Sequence, residues 1–405
     1  MDTNAIKELE TRVRKELDEN IVPFWANRTV DAKGGFVGRM TNDGTVVEKA
    51  PKGLILNARI VWTFSALYSF RKNPEYQRLA QRAYDYLMRY FKDDKYGGVF
   101  WTVDWQGKPL EDKKQVYGQA FAIYALAEYY RAFADEQALK EAKTIFNLME
   151  QHTRDNEHGG YFETFNRDWQ LSGEQRLSEV DMAEKKSMNS HLHILEAYTT
   201  LYEVWKDTLL EKRLEELIDI FADHVVHKDK HYCQLFFDEH WTPKSTRVSF
   251  GHDIEANWLL YRAAEALNKP ELLKKTHTIG LQLAESVYAH GLDNNQSVFY
   301  EADTTGITDS DKHWWVQVEA VVGFLHAYQL SGKQKFLDVA YKIWKFIEDY
   351  IVDKHNGEWF SKVNSKGVVD NTALKVSEWK CPYHNCRACI EIINRLEQIL
   401  HKKPV

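Results

Sequence analysis

Residues Ser249 to Arg262 read S-F-G-H-D-I-E-A-N-W-L-L-Y-R and set an imidazole and a carboxylate, His252 and Glu255, three residues apart. At that spacing the two share one face of a helix. An imidazole beside a carboxylate at a helix mouth can take a proton, hold it and return it near neutral pH. Two more histidines stand out, His193 in K-S-M-N-S-H-L-H-I-L-E-A-Y and His384 in W-K-C-P-Y-H-N-C-R, and Arg59 in K-G-L-I-L-N-A-R-I-V-W adds a cation. Inversion of a carbon beside a carbonyl needs such a set. Two groups of near-neutral pKa must face the carbon from opposite sides, and a cation must hold the developing oxyanion. The step calls for no metal and no redox cofactor.

Other chemistries draw on the same residues. His191 and His193 lie two apart and cannot share a helical face, and no H-E-x-x-H occurs, but three histidines from separate helices could bind zinc. Glycoside hydrolysis needs two carboxyl groups flanking the bond, for which Asp181, Glu255 and Glu319 are candidates. Cys381, Cys386 and Cys389 have a C-x4-C-x2-C spacing known from iron–sulfur proteins, yet the run enters a helix and reads as packing thiols. Proton transfer suits a histidine-rich, carboxylate-supported set best.

The elements that must position these residues repeat. D-A-K-G-G-F-V-G at 31–38, D-K-Y-G-G-V-F-W at 94–101 and D-N-E-H-G-G-Y-F at 155–162 are turn-and-strand signals, and weaker copies follow at 229–237, 293–300 and 353–360. Between them run two kinds of helical pattern. One set is apolar nearly all round, at about 54–71, 114–133, 187–205, 251–267, 314–331 and 382–400; the other carries a polar stripe, at about 4–21, 75–92, 136–151, 209–226, 270–288 and 334–351. Six buried helices inside six surface helices make an all-α (α/α)6 barrel, with short β-hairpins in the loops at one end. No Pro/Gly/Ser-rich linker interrupts the chain, so residues 1–405 read as one catalytic domain. The rival is an open helical solenoid.

A shared nine-residue spacing to a tyrosine sets the inner helices in register. Arg59, Phe121, His193 and Glu319 become equivalent positions, joined by Glu255 and Arg387. One turn earlier come Tyr117, Asn189, His252, Trp315 and His384. A core layer should be aliphatic, and polar groups in such places are costly without partners. A polar pocket in the barrel mouth is expected.

A net charge of −7 argues against nucleic acid and anionic membranes as partners. No signal peptide and no membrane span are evident. Four cysteines make no disulfide framework, so a cytoplasmic protein with free thiols is expected, as a monomer or weak homo-oligomer. The 13 tryptophans and 21 tyrosines exceed what core packing needs, and several stand in polar loops, where flat faces suit sugar rings.

Those segments, with S-F-G-H-D-I-E-A-N-W-L-L (249–260) and H-W-W-V-Q-V-E-A-V-V-G (313–323), resemble the cellobiose 2-epimerases of the N-acylglucosamine 2-epimerase superfamily, over about residues 5 to 400. The resemblance implies an (α/α)6 barrel that inverts C2 of the reducing-end glucose in β-1,4-linked disaccharides such as cellobiose and lactose, without a cofactor. It implies His252 and His384 as the acid/base pair, His193 near the ring oxygen and O1, and Arg59 on the enediolate oxygen. Glu255 would orient His252, Tyr117 and Glu319 would line the first sugar site, and Trp315, Trp379, Asp181 and Asn189 would hold the sugars. Relatives that epimerise or isomerise free mannose share much of this machinery. The chain departs from the pattern at Cys386, where glycine is expected and a side chain would sit at the pocket rim, and at Ser190, where threonine is common.

Overall fold

A computed structural model describes residues 3–401. The inner helices are α3 (Leu54–Arg71), α5 (Val116–Phe133), α7 (Met188–Val204), α9 (Phe250–Leu267), α11 (Trp314–Ser331) and α13 (Tyr383–His401). Around them lie α1 (Thr3–Glu16), α4 (Pro74–Tyr90), α6 (Glu136–His152), α8 (Thr208–Ile220), α10 (Pro270–His290) and α12 (Gln334–Phe346). The short α2 (Val22–Arg28) extends α1 through one π-turn (Leu17–Ile21), so the first surface helix runs beyond its expected end at residue 21.

Sequence pattern decides which helix goes where. α3 is buried without a break from Leu54 to Leu67, whereas α4 buries only the stripe Leu79, Ala80, Ala83, Tyr84, Tyr86 and Leu87. A left-handed residue (Lys72, Ala134, Asn268 or Gly332) stops α3, α5, α9 and α11. Asn73, Asp135 and Asp207 then cap the surface helices α4, α6 and α8 with side-chain oxygens on backbone N–H groups. Each inner helix packs on the next, and α13 returns to α3, so the ring is closed rather than an open solenoid.

At one end a belt of short strands holds the inner helices in place. The residues just before α5 and α7, Lys114-Gln115 and Lys186-Ser187, pair antiparallel with Thr164-Phe165 and Phe236-Phe237 of the following hairpin, and the pattern recurs around the ring. A bridge between Met40 and Val376 joins its first and last units. Two buried devices repeat with it. In five units a lysine ahead of the inner helix pairs with the hairpin aspartate: Lys52–Asp31 (2.7 Å), Lys114–Asp93 (2.8 Å), Lys186–Asp155 (2.7 Å), Lys312–Asp293 (3.0 Å) and Lys375–Asp353. The fourth unit has Val248 there.

The second device is a side chain in the first turn of the inner helix that holds the hairpin backbone. Gln119 binds both N–H and C=O of Val99, Gln317 binds both of Val298, and His191 accepts from Tyr161 N–H at 3.0 Å. Asp253 does the same for Cys233 N–H at 2.7 Å. This close approach explains the glycine at 160. Gly160 has φ +73°, and a Cβ there would stand 2.6 Å from His191 Nε2 and 2.5 Å from Trp241.

Candidate active site

The belt surrounds a cavity of about 490 Å³. Every inner helix presents its first turns to it: Arg59 from α3, Tyr117 from α5, Asn189 and His193 from α7, His252 and Glu255 from α9, Trp314 and Trp315 from α11, His384 from α13. Asp181 and Trp379 reach it from loops. Six helix N-termini therefore point their positive dipole ends at one space, a setting that favours negative charge there.

Each imidazole has a distinct partner. His384 Nδ1 lies 2.7 Å from Glu319 Oε1, and His193 Nδ1 lies 2.9 Å from Glu196 Oε2. A carboxylate at Nδ1 keeps the ring proton there and leaves Nε2 free to accept another. His252 Nδ1 is 2.8 Å from Ser249 Oγ. Burial first, and then the neighbouring His193, pulls the His252 pKa down to about 3. Burial first, and then Arg59, pulls His384 well below its usual value. Both rings are therefore neutral at neutral pH. They meet across one indole: the Trp315 ring lies 4.9 Å from the His252 ring and 5.5 Å from that of His384.

Glu255 does not orient His252 as expected. Side chains on a helix lean towards its N-terminus, and His252 turns back to Ser249, whereas Glu255 is taken by the guanidinium of Arg387. Glu319 also departs from expectation. It sits one turn deeper on α11 than Trp315, is fully buried, and stands behind His384 instead of lining the cavity. Cys386 is buried in the core and does not form the pocket rim, and all four cysteines are free and buried. Ser190 donates to the buried Glu163.

Arg59 is buried among Phe121, Tyr383 and Tyr117, with Nη2 donating to Tyr117 Oη at 3.0 Å and Nη1 4.0 Å from Cys381 Sγ. Among the described residues its contacts include no carboxylate, so its charge is free to act on a ligand. Trp379, 39% exposed, stands over the mouth 5.9 Å from Tyr117. Asp181 is held by Ser178 Oγ at 2.6 Å, and Asn189 Oδ1 is buried and unpartnered.

Below the imidazoles, Arg387 donates to Glu196, Glu255 and Glu319 together. Three carboxylates share one cation. Burial and then Glu319 push the Glu255 pKa up to about 7, and burial pushes Glu319 up as well. Burial opposes the ionisation of Glu196, but Arg387 and His193 outweigh it and hold its pKa down at about 2. Glu255, Glu319 and His384 are spaced to hold a metal ion, but Arg387 already supplies positive charge to both carboxylates. At the rim Asp309, Asp311 and His313 form another such group, with Lys362 on Asp311 at 3.0 Å.

Sequence reading missed Ser249, Glu196 and Tyr383. Glu196 was within reach, since it follows His193 by three residues, the same spacing that drew attention to Glu255. The Tyr383 hydroxyl, which donates to Glu196 at 2.5 Å, carried no such signal.

The profile of the N-acylglucosamine 2-epimerase (GlcNAc 2-epimerase) family matches residues 34–388. The cellobiose 2-epimerase of Bacteroides fragilis is 43% identical over 387 residues, 95% of this chain and 98% of that protein. That of Ruminococcus albus is 39% identical over 95% of this chain and 98% of its own length. The solved structure of cellobiose 2-epimerase from Bacillus thermoamylovorans superposes with a TM-score of 0.93 at 39% identity, covering 96% of this chain and all of that one.

Proposed function

We propose that this chain, which belongs to the N-acylglucosamine 2-epimerase family and is a carbohydrate 2-epimerase, acts at C2 of the reducing-end glucose of β-1,4-linked disaccharides, turning cellobiose into glucosyl-mannose and lactose into epilactose. The observation that carries this reading is that His252 and His384 reach the same indole from different helices, each with Nδ1 bonded and, among the described residues, no hydrogen-bond partner on Nε2. A pyranose standing on Trp315 lies between two bases.

His193 moves the proton between O1 and the ring oxygen as the hemiacetal opens. One of the two facing imidazoles then takes the C2 proton. The electrons move onto the C1 oxygen, where Arg59 and the converging helix N-termini hold the enediolate. The other imidazole gives a proton to the opposite face of C2, and the ring recloses. When His384 is the donor, the proton comes through its ring: the Glu319 carboxyl, whose pKa burial raises, passes its proton to Nδ1 as Nε2 gives one to C2, and in the reverse direction the ring returns it to Glu319. Trp379, Asp181 and Asn189 bind the second sugar at the mouth. Four unpaired thiols support action in the cytoplasm; among the described residues no helix is long and apolar enough to cross a membrane.

Chromatography of cellobiose and lactose after incubation in deuterated water tests the reading. Epimers carrying deuterium at C2 are expected from both. Free glucose from cellobiose, or reaction confined to free mannose and glucose, would overturn it.

A further inference from the structure

We propose that Arg387 is a positioning residue that ties His193 and His384 to a single charge, an inference that rests on the epimerase reading. Its side chain is buried, one turn after His384 on α13. Nη1 donates to Glu196 Oε1 and to Tyr383 Oη, and Nη2 donates to Glu255 and, at 2.6 Å, to Glu319 Oε1. Glu196 and Glu319 are the carboxylates behind His193 and His384. The two rings on different walls are thus backed by groups on one guanidinium. Only a planar fork can serve both at once; a lysine supplies a point charge.

The charge count gives the arrangement its consequence. One guanidinium cannot neutralise three carboxylates, so the remaining negative charge draws protons onto the carboxyls around it. Protonation of one ring is then felt at the other through Arg387. The other titratable and charged groups facing this network are Arg59, Tyr117, Tyr124, Tyr383 and His252 and, across the cavity behind Arg387, Glu128, Arg131, Arg262 and Glu391. Arg387 is one of the charges that keep His384 from holding a proton, so taking away the guanidinium would make His384 hold one more tightly, and the base at C2 would be blocked where it now works.

Arg387 does not touch the sugar space. It borders a second cavity of about 360 Å³, between the C-terminal halves of the inner helices, together with Trp62, Tyr124, Glu196, Thr199 and Trp258. Arg387 Nε and Trp62 Nε1 are buried and unpartnered. Because Arg387 lines this cavity, a small cation can be offered to the place of the guanidinium from the side away from the substrate.

The test uses the full chain with Arg387→Ala and Arg387→Lys. In Arg387→Ala, kcat should fall about 10- to 100-fold, the usual cost of losing a group that orients a functional side chain. KM should stay within about threefold, because no sugar contact is lost, and the pH profile of kcat/KM should move to higher pH by about one unit. Millimolar methylguanidinium should restore much of the Arg387→Ala rate without changing KM and without activating the unmodified enzyme. Arg387→Lys should keep the profile in place while recovering only part of kcat. An unshifted profile with no rescue, or lysine as poor as alanine, would overturn the proposal.

Should Arg387→Ala not fold, Glu196→Gln provides a second arm. Glu196 bonds His193 and Arg387, and the carboxylate on His384 is Glu319. Nitrogen NMR of the imidazoles should nevertheless show the His384 titration moved to lower pH. A His384 titration that does not move sinks the coupling. This readout needs no turnover, so it stands apart from the epimerase reading, which fails on its own if the unmodified enzyme leaves cellobiose and lactose unchanged.

Discussion

The belt of hairpins and the floor of the sugar cavity both bury carboxylates, but in different ratios to cations. In the belt each paired hairpin aspartate has its own lysine, as in Lys186–Asp155 and Lys52–Asp31. Burial opposes ionisation of these aspartates, yet the lysine and the turn N–H groups hold Asp31, Asp155 and Asp353 below the usual carboxylate range. On the floor three glutamates share Arg387, and Glu255 and Glu319 are pushed up instead. Matched charges stay fixed and shape the mouth, whereas unmatched charges leave protons to be exchanged near neutral pH.

The sharpest way to break this contrast is to remove a belt cation. Lys186→Met strands Asp155 in the interior and should lower the unfolding free energy by about 3–5 kcal/mol, read by urea denaturation. The kcat/KM of the folded fraction should stay unchanged. Removing a floor charge should do the reverse. Glu319→Gln lightens an overloaded cation, so stability should hold or rise, while kcat falls about 100-fold as His384 loses the anion behind Nδ1. Equal effects of the two variants on stability would erase the distinction.

Asp253 sits between the two cases, since the fourth unit lacks the belt lysine. It stands where two other units use glutamine, Oδ2 has no hydrogen-bond partner among the described residues, and burial raises its pKa to about 7. A carboxyl raised on folding costs no stability below its unfolded pKa. The cost grows as pH rises from there to the folded pKa and is then constant. Asp253→Asn should therefore be neutral in acid and stabilise the fold by up to about 4 kcal/mol above pH 7, checked by denaturation in acid and above pH 7. The smallest effect belongs to neither region. Trp379→Ala should raise KM severalfold, about 1 kcal/mol of stacking, with kcat little changed.

The inner helices were legible because burial on all sides leaves an uninterrupted apolar record. α3 and α11 fall where the pattern put them, over 54–71 and 314–331. The site was legible as a gathering of polar residues at matching depths, since helical register carries from one repeat to the next. What sequence could not give was which neighbour a side chain chooses. Glu255 lies on the same face as His252 but turns to Arg387, 132 residues away, because an unpaired buried guanidinium is costlier than a histidine satisfied by Ser249. Partner choice among buried charges depends on three-dimensional charge balance, which periodicity does not record.

Two-sided proton transfer at C2 is tested most directly with His252→Ala and His384→Ala given substrates deuterated at C2. Both should lose epimerisation while staying folded, and each should still wash deuterium out of one epimer only, opposite epimers for the two variants. Washout of both epimers by either variant, or retained epimerisation, would contradict the placing of one imidazole on each face of the carbon.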